Sequence, residues 1–201
     1  MTTDTDLQPT LALLAAAAQA GALIDRVTEA DLDRPTPCEG WTLRDLLAHL
    51  VAVADRVPHM LRGGHPFDLP SQTYVTDNAW SEAWAARQPE FAAAVTEDGL
   101  LERTVQHPAG PMPAPGAILG YASELCTHAW DVAATLGDTS GLDDDLAAPL
   151  LDGVRRFLPA EIRESPDIPF AAVVDVPEDA PATERLVAWY GRDPRWAPAR
   201  V

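Results

Sequence analysis

The chain has 201 residues, a formal net charge of −17 at pH 7 and 47% apolar residues, enough to bury a full core. That charge excludes nucleic acid and anionic membrane surfaces as partners, because both require a positive face. All fourteen basic residues are arginine, which reflects compositional bias rather than chemistry. Cys38 and Cys126 are too few for a disulfide framework, and residues before Leu11 are rich in Thr and Asp with no basic leader. With no apolar run long enough to span a bilayer, a soluble cytoplasmic protein is expected.

Alanine and leucine dominate and β-branched runs are short, so the composition leans helical. Taken in chain order, residues 7–30 read as a first helix, with Pro9 near its start and Leu11, Leu14, Ala18 and Ala22 on one stripe. Asp31 to Gly40, with Pro35 and Pro37, is a loop. Thr42-Leu43-Arg44-Asp45 has the spacing of a capping box, and the helix it opens should stop at Gly63-Gly64. A third helix is expected from about Val75 to Val95, with Trp80, Trp84 and Phe91 on one face and Pro89 kinking or splitting it. Residues 96–114 are irregular, with a short strand over Leu101–His107. Pro115 opens a fourth helix that ends at Gly137, Asp143–Phe157 makes a fifth, and Ala182–Tyr190 a short last one. Four long amphipathic helices predict a four-helix bundle, in which facing helices pool ligands.

Glu124 and His128 lie four residues apart in Glu124-Leu125-Cys126-Thr127-His128-Ala129-Trp130-Asp131, inside an apolar segment. Four residues is about 1.1 turns, so both side chains leave one face of the helix, about 40° apart. A carboxylate and an imidazole so placed can chelate one divalent metal. His49, in the apolar run Leu46-Leu47-Ala48-His49-Leu50-Val51, is the candidate third ligand. Three protein ligands leave a coordination position open, as in catalytic zinc sites. The plainer alternatives are a core histidine with a hydrogen-bond partner, and an i, i+4 surface pair worth about 0.2–0.5 kcal/mol. Asp131, three residues beyond His128, either orients its ring or pairs with an arginine such as Arg44. Asp45 shares the His49 face, although its capping role is the simpler account. Cys126 lies about 200° round the helix from Glu124 and reads as a small core residue. Cys38 reads as packing, with a histidine-partnered cysteine nucleophile as the weaker alternative; His59, His65 and His107 carry no assigned role, and the tryptophans are expected in the core.

The segments Thr36-Pro37-Cys38-Glu39-Gly40-Trp41-Thr42-Leu43-Arg44-Asp45-Leu46-Leu47-Ala48-His49-Leu50 and Glu124-Leu125-Cys126-Thr127-His128-Ala129-Trp130-Asp131-Val132-Ala133 resemble the DinB/YfiT-like superfamily. Within it they resemble the mycothiol-dependent maleylpyruvate isomerase N-terminal domain family, in its short actinobacterial metal-binding branch. The tail Gly191-Arg192-Asp193-Pro194-Arg195-Trp196 also resembles that branch. The resemblance implies an all-α, DinB-like four-helix bundle with a long crossover connection and additional C-terminal helices. The domain it implies fills residues 1–201, with a bundle core over about 7–138 and a C-terminal extension over about 139–201. It implies a divalent metal, zinc first and nickel second, on His49, Glu124 and His128. Much of the superfamily carries His where this chain has Glu124, whereas the isomerase branch has Glu. The full isomerase has a further C-terminal domain with no obvious counterpart here.

The resemblance and the three-ligand set together imply a divalent-metal protein using a low-molecular-weight thiol such as mycothiol as co-substrate. Its activity would be that of an S-transferase or isomerase acting on a small electrophile. Two other classes stay open: a metal-dependent hydrolase of small amides or esters, and a non-enzymatic metal-binding stress or ligand-binding module. Homodimers are common among such bundles, but no sequence signature for one is present.

Overall fold

A computed structural model describes residues 8–164 and 170–198. Among the described residues there are six α-helices: α1 (Pro9–Ile24), α2 (Leu43–Leu61), α3 (Trp80–Val95), α4 (Ala114–Leu136), α5 (Asp144–Phe157) and α6 (Ala182–Trp189). A hairpin of β1 (Thr104–His107) and β2 (Gly110–Pro113) precedes α4. The first four helices form the bundle: α1 packs on α4, α4 on α2, α2 on α3 and α3 on α1. Helices α1 and α2 are therefore diagonal, and so are α3 and α4, which is why residues 25–42 and 96–113 form long crossings. Helix α6 packs on α4 and α5 outside this ring. Among the described residues no helix is long and apolar enough to cross a membrane.

The local signals at helix ends act as their chemistry requires. Thr42 caps α2: its amide donates to Asp45 Oδ2 at 2.9 Å, and the Asp45 amide donates to Thr42 Oγ1 at 3.4 Å. Asp45 thus stays at the cap, where the Tyr74 hydroxyl also donates to it at 2.7 Å. Helices α2, α4 and α6 each end at a glycine with positive φ: Gly63, Gly137 and Gly191. In each the amides of that glycine and of the residue after it turn back onto the last turn, as in Gly191 N–H to Ala188 O at 3.0 Å and Arg192 N–H to Val187 O at 2.9 Å.

Several expectations need correction. Helix α1 ends at Ile24, not at residue 30. Thr28 and Asp31 close a separate short turn, in which the Thr28 amide and hydroxyl both donate to Asp31 Oδ2 at 3.1 and 2.7 Å. The start expected at residue 7 lies outside the described residues. The buried face of α1 is Leu13, Ala16, Ala17, Ala20, Leu23 and Ile24, whereas Leu11 is 61% exposed and Ala18 and Ala22 face solvent. A helix this apolar all round carries no unique stripe in its sequence.

Helix α3 begins at Trp80 rather than Val75, because residues 70–74 are strapped along α2 instead. The Thr73 backbone amide donates to Ala48 O at 2.8 Å, the Gln72 side-chain Nε2 to Asp45 O at 3.1 Å, and Arg56 Nη2 to Pro70 O at 2.8 Å. The helix also runs unbroken through Pro89. Trp80, Trp84 and Phe91, at 4%, 4% and 0% exposure, bury its face on both sides of the proline. In the turn before it, Arg87 Nη1 and Gln88 Nε2 donate to the carbonyls of Ala83 and Trp84. The expected strand shortens to Thr104–His107, since Leu100–Glu102 is a 3₁₀ turn.

Candidate metal centre

The bundle brings His49 from α2 against Glu124 and His128 from α4. One donor atom from each lies within 4.8 Å of the others. His49 Nε2 stands 3.0 Å from Glu124 Oε1, and the two imidazoles meet edge to face with centroids 4.9 Å apart. The site is not sealed, since the Glu124 side chain keeps 31% exposure and each imidazole 12%.

Both imidazoles have their tautomer set from behind. His49 Nδ1 lies 3.1 Å from the Ser71 carbonyl oxygen, which only accepts, so Nδ1 carries the proton. The strap over α2 supplies that carbonyl. His128 Nδ1 donates to Asp131 Oδ2 at 2.9 Å. Each ring therefore turns its Nε2 toward the other members of the trio. At 3.0 Å, His49 Nε2 and Glu124 Oε1 need a positive centre between them, either a proton on Nε2 or a shared metal ion. Two imidazole nitrogens, one carboxylate and a solvent-facing side are the donor set of His₂Glu catalytic zinc sites. The residues present thus fit a divalent ion.

The electrostatics point the same way. Burial alone raises the Glu124 pKa, but the His49 hydrogen bond, helped by neighbouring basic groups, outweighs it, keeping the carboxylate below its ordinary range. Burial holds His128 below the ordinary histidine value, so the ring is neutral near pH 7, as ligation requires.

Asp131 combines two roles that the sequence leaves as alternatives, and Arg44 is not its partner. Arg44 pairs with Asp33 and Asp77 instead. The Asp131 side chain, 0% exposed, accepts from His128 Nδ1, from Cys38 Sγ at 3.1 Å, and from Arg192 Nε and Nη2, each at 3.2 Å. Burial opposes its ionisation, but the His128 hydrogen bond and the Arg192 charge hold its pKa below the usual carboxylate range.

Cys38, His128 and Asp131 also lie close enough to form a second ligand set. Arg192 occupies it: Nη2 reaches both Asp131 Oδ2 and Cys38 Sγ at 3.2 Å, so a guanidinium already stands in the cation position. Burial and the Asp131 charge push the Cys38 thiol far up. Its Sγ–H donates to Asp131 Oδ2 at 3.1 Å, which makes it a protonated donor beside His128. Cys38→Ser is expected to leave metal content within about 10% of wild type in plasma emission analysis; loss of the metal would make the thiol a ligand.

Neither the reach of Arg192 to Asp131 nor that of Cys38 was legible locally, because their partners lie 61 and 93 residues away. Trp41 sits beside the site, its ring 5.3 Å from that of His49, while Trp80, Trp84 and Trp130 are core. His107 at the hairpin stacks edge-on against Tyr121 at 5.6 Å. His59 pairs with Asp68, His65 accepts from the Phe67 amide, and Cys126 is a buried thiol pushed up to about 12 by burial.

Comparison with known proteins agrees with this architecture. The family profile for the mycothiol maleylpyruvate isomerase N-terminal domain matches residues 13–133, which include all three residues of the trio. Two proteins of Mycobacterium tuberculosis are each 32% identical over 174 residues, covering 87% of this chain and 92% of the relative: uncharacterized protein MT0763 of strain CDC 1551 / Oshkosh and uncharacterized protein Rv0738 of strain ATCC 25618 / H37Rv. Among solved structures, the crystal structure of the mycothiol-dependent maleylpyruvate isomerase superposes with a TM-score of 0.58 at 15% identity, covering 77% of this chain and 68% of that one. A histidine-to-alanine mutant of that enzyme gives 0.53 at 16% identity, with 71% and 68% covered. At that identity the structures establish the shared DinB-like fold. By profile, relatives and fold together, the chain belongs to the mycothiol maleylpyruvate isomerase N-terminal domain family.

Proposed function

We propose that the protein is a divalent-metal enzyme of the thiol-dependent kind. It would use a mycothiol-type low-molecular-weight thiol as co-substrate in an isomerase or S-transferase reaction on a small electrophile. The single observation that carries this reading is the His49–Glu124 contact. An imidazole nitrogen faces a carboxylate oxygen at 3.0 Å, with a second imidazole beside them. Family membership supports the thiol, since mycothiol dependence is the property for which the solved relative is named.

In this reading His49, Glu124 and His128 hold the ion, zinc before nickel. Bound there, the ion would lower the pKa of a thiol beside it, so that a nucleophile forms at neutral pH. The remaining work falls to the chain. Ser71 and Asp131 hold the two Nδ1 protons and keep each Nε2 aimed inward. Glu124 supplies the negative charge that offsets the cation. The indole of Trp41 lies against His49 and gives the site an apolar wall. The exposed side of Glu124 leaves an approach for two reactants.

Metal analysis of the purified protein beside His49→Ala/His128→Ala tests the ligand set. About one zinc per chain is expected in wild type and less than a tenth of that in the double variant; equal, negligible zinc in both would sink the proposal. A screen of electrophiles with and without a small thiol then separates this chemistry from metal-dependent hydrolysis, which would proceed without the thiol.

A further inference from the structure

The tail that resembles the family pattern, Gly191-Arg192-Asp193-Pro194-Arg195-Trp196, packs into the molecule beside the site. The turn at Gly191 aims it. There φ is +81°, and a Cβ would stand 2.7 Å from Ala171 Cβ and 3.0 Å from Ala172 O, so a side chain at 191 meets both strain and neighbouring chain. Beyond it Trp196 packs with Trp130, Ala134 and Val187, which fixes the tail along α4. Between those anchors the Arg192 side chain, 20% exposed, enters the molecule and reaches Asp131.

We propose that Arg192 is a positioning residue for the His49/Glu124/His128 site, acting through the chain Arg192–Asp131–His128. Its guanidinium fork meets both carboxylate oxygens of Asp131, Nε to Oδ1 and Nη2 to Oδ2. A planar two-point contact of this kind fixes the plane of a carboxylate as well as its place. The oxygen Oδ2 that it holds is the one accepting from His128 Nδ1 at 2.9 Å. Holding that oxygen keeps the His128 proton on Nδ1 and turns Nε2 toward Glu124 and His49. Nη2 also contacts Cys38 Sγ, so the same group closes the second ligand set to cations. The C-terminal segment thereby becomes part of the site without touching a reactant. The assignment rests on the metal reading above for its consequence, but not for its geometry.

The test uses the full chain with Arg192→Ala and Arg192→Lys, and with Arg195→Ala as control, because the Arg195 side chain is 86% exposed and, among the described residues, hydrogen-bonds to Asp193 rather than to the site. Zinc affinity is measured by chelator competition well below each melting temperature. It is repeated in Cys38→Ser protein, so that a thiol released by losing Arg192 is not counted as a ligand. Arg192→Ala should weaken zinc about 10–100-fold, the usual range for groups that orient a ligand. Arg192→Lys, which keeps the charge but loses the fork, should fall between, and Arg195→Ala should match wild type. Nitrogen-15 NMR of the metal-free proteins reads His128 directly: a single Nδ1-protonated ring in wild type, and a mixture in both Arg192 variants.

Unchanged affinity and an unchanged His128 ring in Arg192→Lys would overturn the proposal, even if the variant melts earlier. Should Arg192→Ala fail to fold, the lysine variant carries the test. Absence of zinc binding by wild type would defeat the metal reading instead, and the NMR comparison would still decide the positioning role.

Discussion

Replacing Asp131 by alanine is expected to cost about 3 kcal/mol of stability, near the lower end for breaking a buried ion pair. The penalty arises from what remains: the half-buried Arg192 fork, the Cys38 thiol and the His128 Nδ1–H all lose their acceptor at once. Arg192 retains 20% exposure and can reach solvent in part, which keeps the figure from the upper end of about 5 kcal/mol. In a chain of this size about 3 kcal/mol lowers the melting temperature by roughly 6–12 °C. A melt at pH 7 checks it, and a shift under about 2 °C would show that the cluster adds little.

The pH dependence has a definite sign. The folded pKa of Asp131 lies below the ordinary carboxylate value of about 3.9, so its stabilisation is fully present above that value and is lost as pH falls through the folded pKa. The gap between wild type and Asp131→Ala should therefore be constant from about pH 5 to 7 and narrow below about pH 4. A double-mutant cycle with Arg192→Ala should be non-additive, because the two residues form one buried contact.

Phe91→Ala should cost about 3–5 kcal/mol, the usual range for emptying a fully buried aromatic site. Phe91 lies just past Pro89, which removes one helix hydrogen bond and crowds the carbonyl of Ala85. The half of α3 beyond the proline is held to the bundle by packing, through Phe91, Ala94 and Val95, all 0% exposed. Urea unfolding of Phe91→Ala gives the value directly. A loss below about 1 kcal/mol would mean that the proline turn holds itself without the ring.

How legible the molecule was follows the range of the physics involved. Helix ends are set by groups within four residues of one another, and these could be read: the Thr42–Asp45 cap, Gly63 and Gly137 as stops, and Asp143 opening α5. The shared face of Glu124 and His128 is likewise a matter of helical pitch. The face of α1 that turns inward was not legible, because an apolar helix presents several equivalent stripes and only the ridges of α3 and α4 select one. That Pro89 does not split α3 has a related reason, since tertiary burial on both sides of it outweighs the local penalty.

The sequence by itself determined the number and order of the helices, the glycine stops of α2 and α4, the Glu124–His128 pair and the family to which the chain belongs. The tertiary structure decided the rest. It brought His49 to within 3.0 Å of Glu124 and put the Ser71 carbonyl behind one imidazole. Behind the other it set Asp131, gripped by Cys38 and Arg192 from opposite ends of the chain. Those contacts depend on how diagonal helices cross and where a tail docks, and a side chain's partner 61 or 93 residues away leaves no mark in local spacing.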